Sequence, residues 1–281
     1  MSTTNDQILE RQFEAHGPLS LYVENNSGLV HVNAHDTTEA SVTVTGRDAE
    51  HVTVTYDDGR LSVVAPKQRT GFFGGSSSLD MTITVPTRSE LMIKSGSADV
   101  VVDGTCGATQ VKSGSGEVTV GEIDGPAQLE TGSGDIGVQH VHGELRCKSG
   151  SGDVDVRRAD SAVAVSTGSG DVRLGSANGP AVVKTGSGDL RVVEAAGDVS
   201  MATGSGDVRI ETARKGRFSV KGASSDVEIG IPAGIPVWTD INTLSGHIRS
   251  DLAGAGKPEE GADYIEVRAK TVSGDITLTQ I

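Results

Sequence analysis

Thr167-Gly-Ser-Gly-Asp-Val172 returns as Thr203-Gly-Ser-Gly-Asp-Val208, and close copies lie between and before them at a constant step of 18 residues. The acidic position of the unit falls at Asp99, Glu117, Asp135, Asp153, Asp171, Asp189 and Asp207, with no insertion or deletion between them. Looser copies come later at Ser225-Asp226, Gly246-His247 and Gly274-Asp275, where the step lengthens to 19, 21 and 28. A unit this short cannot bury a core alone, so each copy must stack on its neighbours.

Offsets counted from the acidic residue show how one unit folds. Apolar side chains occupy +1 and +3 (Val172 and Leu174, Leu190 and Val192) and again +10 and +12 (Val163 and Val165, Val199 and Met201). Alternation with a period of two is the strand signal, and it turns each set inward. One corner is the Gly-Ser-Gly before the acid, where glycine is free to take positive φ. The other lies near +8, at Gly107, Gly125, Gly143, Gly179 and Gly197. Residues at +14 and +16, such as Thr185 and Ser187, keep the inward parity and predict hydroxyl ladders.

The fold predicted is all-β: a single-stranded parallel β-helix, or β-solenoid, with 18-residue rungs and a right-handed winding, the hand favoured by parallel crossovers. Residues 1–281 form one domain in this reading, with irregular rungs over 1–93, regular repeats over 94–230 and irregular rungs over 231–281. Early strands are expected at Leu19–Val23, Leu29–Val32, Ser41–Val44, Val52–Tyr56, Leu61–Val64 and Met81–Val85. Asp6 to Phe13 forms a short helix or an edge strand, since an open sheet end needs a cap. The loop from Asp251 to Asp263 is the clearest insertion.

Composition excludes several functions. The 281 residues carry a net charge of −14, which disfavours a phosphate backbone or an anionic membrane surface as partner. Aromatic residues are only 3% of the chain, poor material for a compact globular core but sufficient for a stack of small aliphatics. The N-terminal residues show no basic start followed by an apolar run, and no stretch reaches the roughly 18 apolar residues of a membrane span. The expectation is a cytoplasmic protein. Cys106 and Cys147 lie two rungs apart at offsets +7 and +12. Two rungs separate them by nearly 10 Å, too far for a disulfide, so both are expected as free thiols.

The run of Ser-Gly-Asp-Val units after Thr84-Val85-Pro86 resembles the bacterial putative-adhesin family, a β-strand-repeat domain of unknown function. Glu24-Asn-Asn-Ser-Gly-Leu-Val30 and Thr271-Val-Ser-Gly-Asp-Ile276 extend that resemblance over nearly the whole chain. It implies a β-helical, adhesin-like protein and carries over no catalytic residues.

Among candidate sites the acidic corner comes first. Carboxylates stacked about 4.8 Å apart repel one another by about 1 kcal/mol even in water. Arg173, Arg191 and Arg209 stand at +2 beside the later acids, whereas Val101, Thr119, Gly137 and Asp155 hold that place earlier. Glu117, Asp135, Asp153 and Asp155 therefore form the least compensated cluster, a candidate Ca²⁺ ladder. The alternative is that each acid closes its own corner through backbone N–H groups. Phe72 and Phe73 either close the core beneath the early rungs or form an exposed patch for a partner. Trp238 is expected to pack in the C-terminal core. His31, His35, His140 and His142 read as solvated loop residues. Equal copies of Gly-Ser-Gly are turns rather than a nucleophile elbow, so no catalytic residue is assigned.

The function these features favour is a non-catalytic scaffold or binding protein that meets an unknown protein or envelope glycan. A calcium-binding β-roll-like module is the alternative, and a polysaccharide-active β-helix enzyme the third. No cofactor, nucleic acid or membrane insertion is expected.

Overall fold

The computed structural model describes residues 7–66, 78–252 and 264–281. Its regular structure is β-strand throughout, apart from one 3-10 turn at Ala49–His51. The chain divides into two compact units, Met1–Val141 and His142–Ile281, each built from two sheets of mainly parallel strands. Among the described residues no helix is long and apolar enough to cross a membrane.

The second unit shows the repeat most clearly. One of its sheets runs in the order Val154–Ala159, Val172–Ala177, Leu190–Ala195, Val208–Ala213, Val227–Ile231, Ile276–Gln280, Ile248–Ser250. The other runs Leu145–Ser149, Val163–Thr167, Ala181–Lys184, Val199–Ala202, Gly216–Lys221, Ile265–Ser273, Val237–Ser245. Pairing is parallel and matches like with like: Val172 lies opposite Leu190, which lies opposite Val208. The +1, +3, +10 and +12 side chains are fully buried between the sheets, as the alternation requires. Each such Val or Leu contributes about 1.5–3 kcal/mol on burial.

A third inward row was not legible from alternation. Ala159, Ala177, Ala195 and Ala213, at +6, are also fully buried. The ladder skips a residue between Val156 and Arg158, which reverses the parity of the rest of the strand. The two-residue period therefore ends before +6, where these rungs carry alanine and the first unit carries the equally buried Ile123 and Val141.

The corners obey a different rule from the one expected. The Gly-Ser-Gly glycines of the regular rungs do not take positive φ. Their requirement is space: a Cβ on Gly188 would sit 1.9 Å from the carbonyl oxygen of Gly170, and one on Gly170 would sit 2.0 Å from that of Gly152. The hydroxyl ladders differ too. Thr167 and Thr185 are buried, but each accepts from an N–H of its own corner, Gly170 (3.0 Å) and Gly188 (2.8 Å). Ser187, at +16, points to solvent.

The first unit has the same parallel register in its later strands, with Val100 opposite Val118 and Val118 opposite Ile136. Its early strands are not all rungs. Glu39–Gly46 pairs antiparallel with both Gln7–Glu14 and Leu79–Pro86, and Thr53–Asp57 pairs antiparallel with Arg60–Val64. Gln7–Glu14 is thus a strand rather than a helix. It ends one sheet of this unit, Thr53–Asp57 ends the other, and the Phe13 and Tyr56 rings meet between them at 5.1 Å. Antiparallel strands replace the open end that an unmodified stack would leave.

Sequence order fails at the C-terminal end of the second unit. Ile265–Ser273 inserts between Gly216–Lys221 and Val237–Ser245, and Ile276–Gln280 inserts between Val227–Ile231 and Ile248–Ser250. The last rung in the chain is therefore the penultimate rung in space. Both cysteines are free and buried. Burial pushes the Cys147 thiol up to about 12 and raises that of Cys106, so neither is a nucleophile at neutral pH.

A candidate binding face on the second unit

The acidic corner residues have a structural task. Asp153 Oδ1 accepts the backbone N–H of Asp171 at 2.8 Å, and the same bond recurs from Asp171 to Asp189, Asp189 to Asp207 and Asp207 to Asp226. Asp226 then binds the N–H of Asp275, and Asp275 that of His247, which tracks the spatial order of the rungs rather than the chain. In the first unit Asp99 accepts from Glu117 in the same way at 2.9 Å. Each carboxylate thus caps the next rung, whereas an Asx turn would close its own corner. A charge-assisted bond of this kind offsets the repulsion along the row. The N–H of His247 holds the Asp275 carboxyl below the usual carboxylate range.

The four residues singled out for Ca²⁺ are distributed among these roles. Asp153 belongs to the cap ladder, and Glu117 accepts from the Thr119 hydroxyl at 3.3 Å. Asp135 lies just before the strand Ile136–Val141 of the first unit. Asp155 lies opposite Arg173 in register, 4.0 Å from its Nε, so it is not uncompensated. Arg191 and Arg209 pair with Glu211 and Glu228 rather than with the corner aspartates. Phe72 and Phe73 lie outside the described residues, as does most of the Asp251–Asp263 loop.

Of the four histidines expected in loops, only His142 lies between strands. His31 and His35 belong to the strand Gly28–His35, and His31 Nε2 lies 2.7 Å from Asp103. His140 is in the strand Ile136–Val141, and His142 Nδ1 lies 3.0 Å from Asp160.

The irregular end of the second unit carries a different constellation. On Ile265–Ser273 the residues Glu266, Arg268 and Lys270 alternate with buried Ile265, Val267 and Ala269, so the charged set faces outward. Register places Arg217 beside Glu266, Ser219 beside Arg268, and Lys221 beside Lys270. On the other side Trp238 lies beside Glu266 and Asp240 beside Arg268. Arg217 and Glu266 are 49 residues apart in the chain, and the out-of-order insertion alone brings them together.

Glu266 is buried although it faces outward, its side chain only 8% exposed. It accepts from Arg217 Nε at 2.7 Å and from Arg268 Nε on its other oxygen. Arg217 chiefly, with Arg268, holds its carboxyl below the usual range, while Glu266 raises the Arg217 guanidinium. The Arg268 guanidinium lies 5.6 Å from the centre of the Trp238 ring, within cation–π reach. Trp238 is 52% exposed and Tyr264 51% exposed, so the tryptophan is a surface platform and not part of the core. Two depressions border the clamp. One, of about 410 Å³, is lined by Asp198, Arg217, Tyr264 and Glu266. The other, of about 520 Å³, is lined by Val182, Ser200, Ser219, Lys221, Arg268 and Lys270 among others.

None of Arg217, Tyr264, Glu266 and Arg268 stood out in the repeat. The available signal was the pair of alternating runs Arg217-Phe-Ser-Val-Lys221 and Glu266-Val-Arg-Ala-Lys270, which put basic residues on one face of each strand. The family model that matches is Toastrack DUF4097, over residues 19–279, so the chain belongs to that family. A putative adhesin from Bacteroides fragilis has a similar structure at 14% identity and a TM-score of 0.39, covering 98% of this chain and 97% of that one. A putative adhesin from Parabacteroides merdae aligns at 12% identity and a TM-score of 0.38, covering 99% and 97%. A putative lipid binding protein from Parabacteroides distasonis aligns at 12% identity and 0.34, covering 99% and 98%. At these values the likenesses carry no argument about mechanism. No curated protein matches the chain.

Proposed function

We propose that this member of the Toastrack DUF4097 family is a non-catalytic, adhesin-like β-solenoid, wound right-handed in 18-residue rungs, that binds a partner through the outer face around Trp238. The observation that carries the reading is an indole left half in solvent with a clamped arginine against its ring. Glu266 accepts from Arg268, whose guanidinium lies within cation–π reach of the indole. Exposed aromatics over a preorganised polar base are the side chains on which recognition energy concentrates. Asp153, Asp171 and Asp189 support a non-catalytic role, because they repeat one backbone bond. An acid–base pair needs two unlike environments.

Retention of the labelled full chain on isolated bacterial envelopes tests this. Trp238→Ala is expected to lower retention about tenfold, the loss of one central aromatic anchor. Undiminished retention of that variant, with an unchanged melting temperature, overturns the assignment of the face.

A further inference from the structure

We propose that the outer sheet face from Ala181–Lys184 to Val237–Ser245 binds an acidic polysaccharide, its carboxylates against Lys184, Lys221 and Lys270 and one sugar ring stacked on Trp238. The proposal rests on the reading of this face as the binding site and names the ligand class.

Charge points first to an anion. The chain is strongly acidic, yet Lys184, Lys221 and Lys270 stand in one row across the sheet, with only Ala202 between the first two. Lys221 and Lys270 are directly opposite one another. Lys184 and Lys221 make no ion pair among the described residues, and Lys270 reaches Asp240 only at 3.9 Å. Adjacent like charges with so few counter-ions raise the free energy of the empty face, and an anionic ligand relieves it.

The rest of the lining selects among anions. Asp198, Asp240, Ser200 and Ser219 lie among the cations and are hydrogen-bond acceptors. A phosphodiester backbone offers these acceptors no hydrogen-bond donor. Sugar hydroxyls donate to them. The exposed Trp238 face packs against the apolar C–H face of a pyranose ring, a use that a bare phosphate does not have. The row also crosses four strands, from Ala181–Lys184 to Ile265–Ser273. At about 4.8 Å per strand it extends about 14 Å, the footprint of a chain rather than of a single small ion.

Trp238 is the only tryptophan, so its emission reports that face directly. The full chain is titrated with polygalacturonate, alginate and hyaluronan, then with methyl-esterified polygalacturonate and dextran. At least one acidic polymer is expected to shift the emission. Its affinity by calorimetry should fall about tenfold in Lys184→Gln/Lys221→Gln and in Trp238→Ala, with the melting temperature retained. The neutral polymers should bind about tenfold more weakly than the acidic ones. Equal affinity for the acid and its ester overturns the acidic class. Duplex DNA or phosphatidylglycerol vesicles binding with the same lysine dependence, where the polysaccharides fail, overturns the sugar. Should no acidic polymer bind while Trp238→Ala still loses envelope retention, the ligand class is wrong and the binding face stands. If Trp238→Ala changes neither assay, both fall.

Discussion

The corner ladder and the Trp238 face belong to the same unit and are both rows of charge, yet they treat charge in opposite ways. Along Asp153, Asp171, Asp189 and Asp207 every rung repeats its neighbour, so one bond that satisfies a carboxylate satisfies them all. Around Trp238 a strand inserted out of order sets Glu266 between two arginines and Lys221 against Lys270. Translation gives each carboxylate of the first row the same N–H donor. The inserted strand of the second sets Lys270 directly against Lys221, which is why a ligand is sought there.

Three changes would break or sharpen this contrast. The largest effect should come from Gly188→Ala, whose methyl would collide with the Gly170 carbonyl of the rung beneath. A loss of about 3 kcal/mol in denaturant unfolding is expected, because backbone on both sides must shift. Gly17→Ala, with no atom near the added methyl, is the control and should be close to neutral. An equal, small effect at both positions would mean that the corners are not closely stacked.

Asp189→Ala should cost about 1 kcal/mol by leaving the Asp207 N–H without its acceptor. Asp189→Asn keeps an acceptor and removes a charge, so it should retain most of that stability. If Asn is as damaging as Ala, charge rather than capping is what the ladder needs.

The smallest effect concerns the clamp and acid. The Glu266 carboxyl is held below its ordinary value of 4.5, chiefly by Arg217. A depressed carboxylate contributes stability above its unfolded pKa and loses it as pH falls through the folded one. The melting temperature should therefore decline on acidification below about pH 4.5, and decline less in Glu266→Gln. Identical acid slopes in the two proteins would remove Glu266 from the account.

Much of the fold was legible because it is periodic. Val172, Leu190 and Val208 recur at one offset, and burial at that offset in one rung implies it in the next. The acid at the corner was legible as structural, but its partner was not. An Asx bond within one corner and a cap on the next rung demand the same residue. The +6 alanines were hidden by a skipped ladder residue that alternation cannot anticipate. Trp238 was misread as core for a related reason. An apolar residue in a strand has two faces open to it, and which one is buried depends on the neighbouring strand.

The 18-residue step by itself determined that parallel strands stack like upon like, since no other arrangement buries so short a unit. It also determined where corners fall and that the cysteines remain unpaired. Only the tertiary structure decided the order of the last rungs and the antiparallel strands at the start. Those depend on contacts between segments tens of residues apart, which have no period to reveal them. The binding face depends on such contacts entirely: Arg217 and Glu266 become partners because Ile265–Ser273 returns to lie beside Gly216–Lys221.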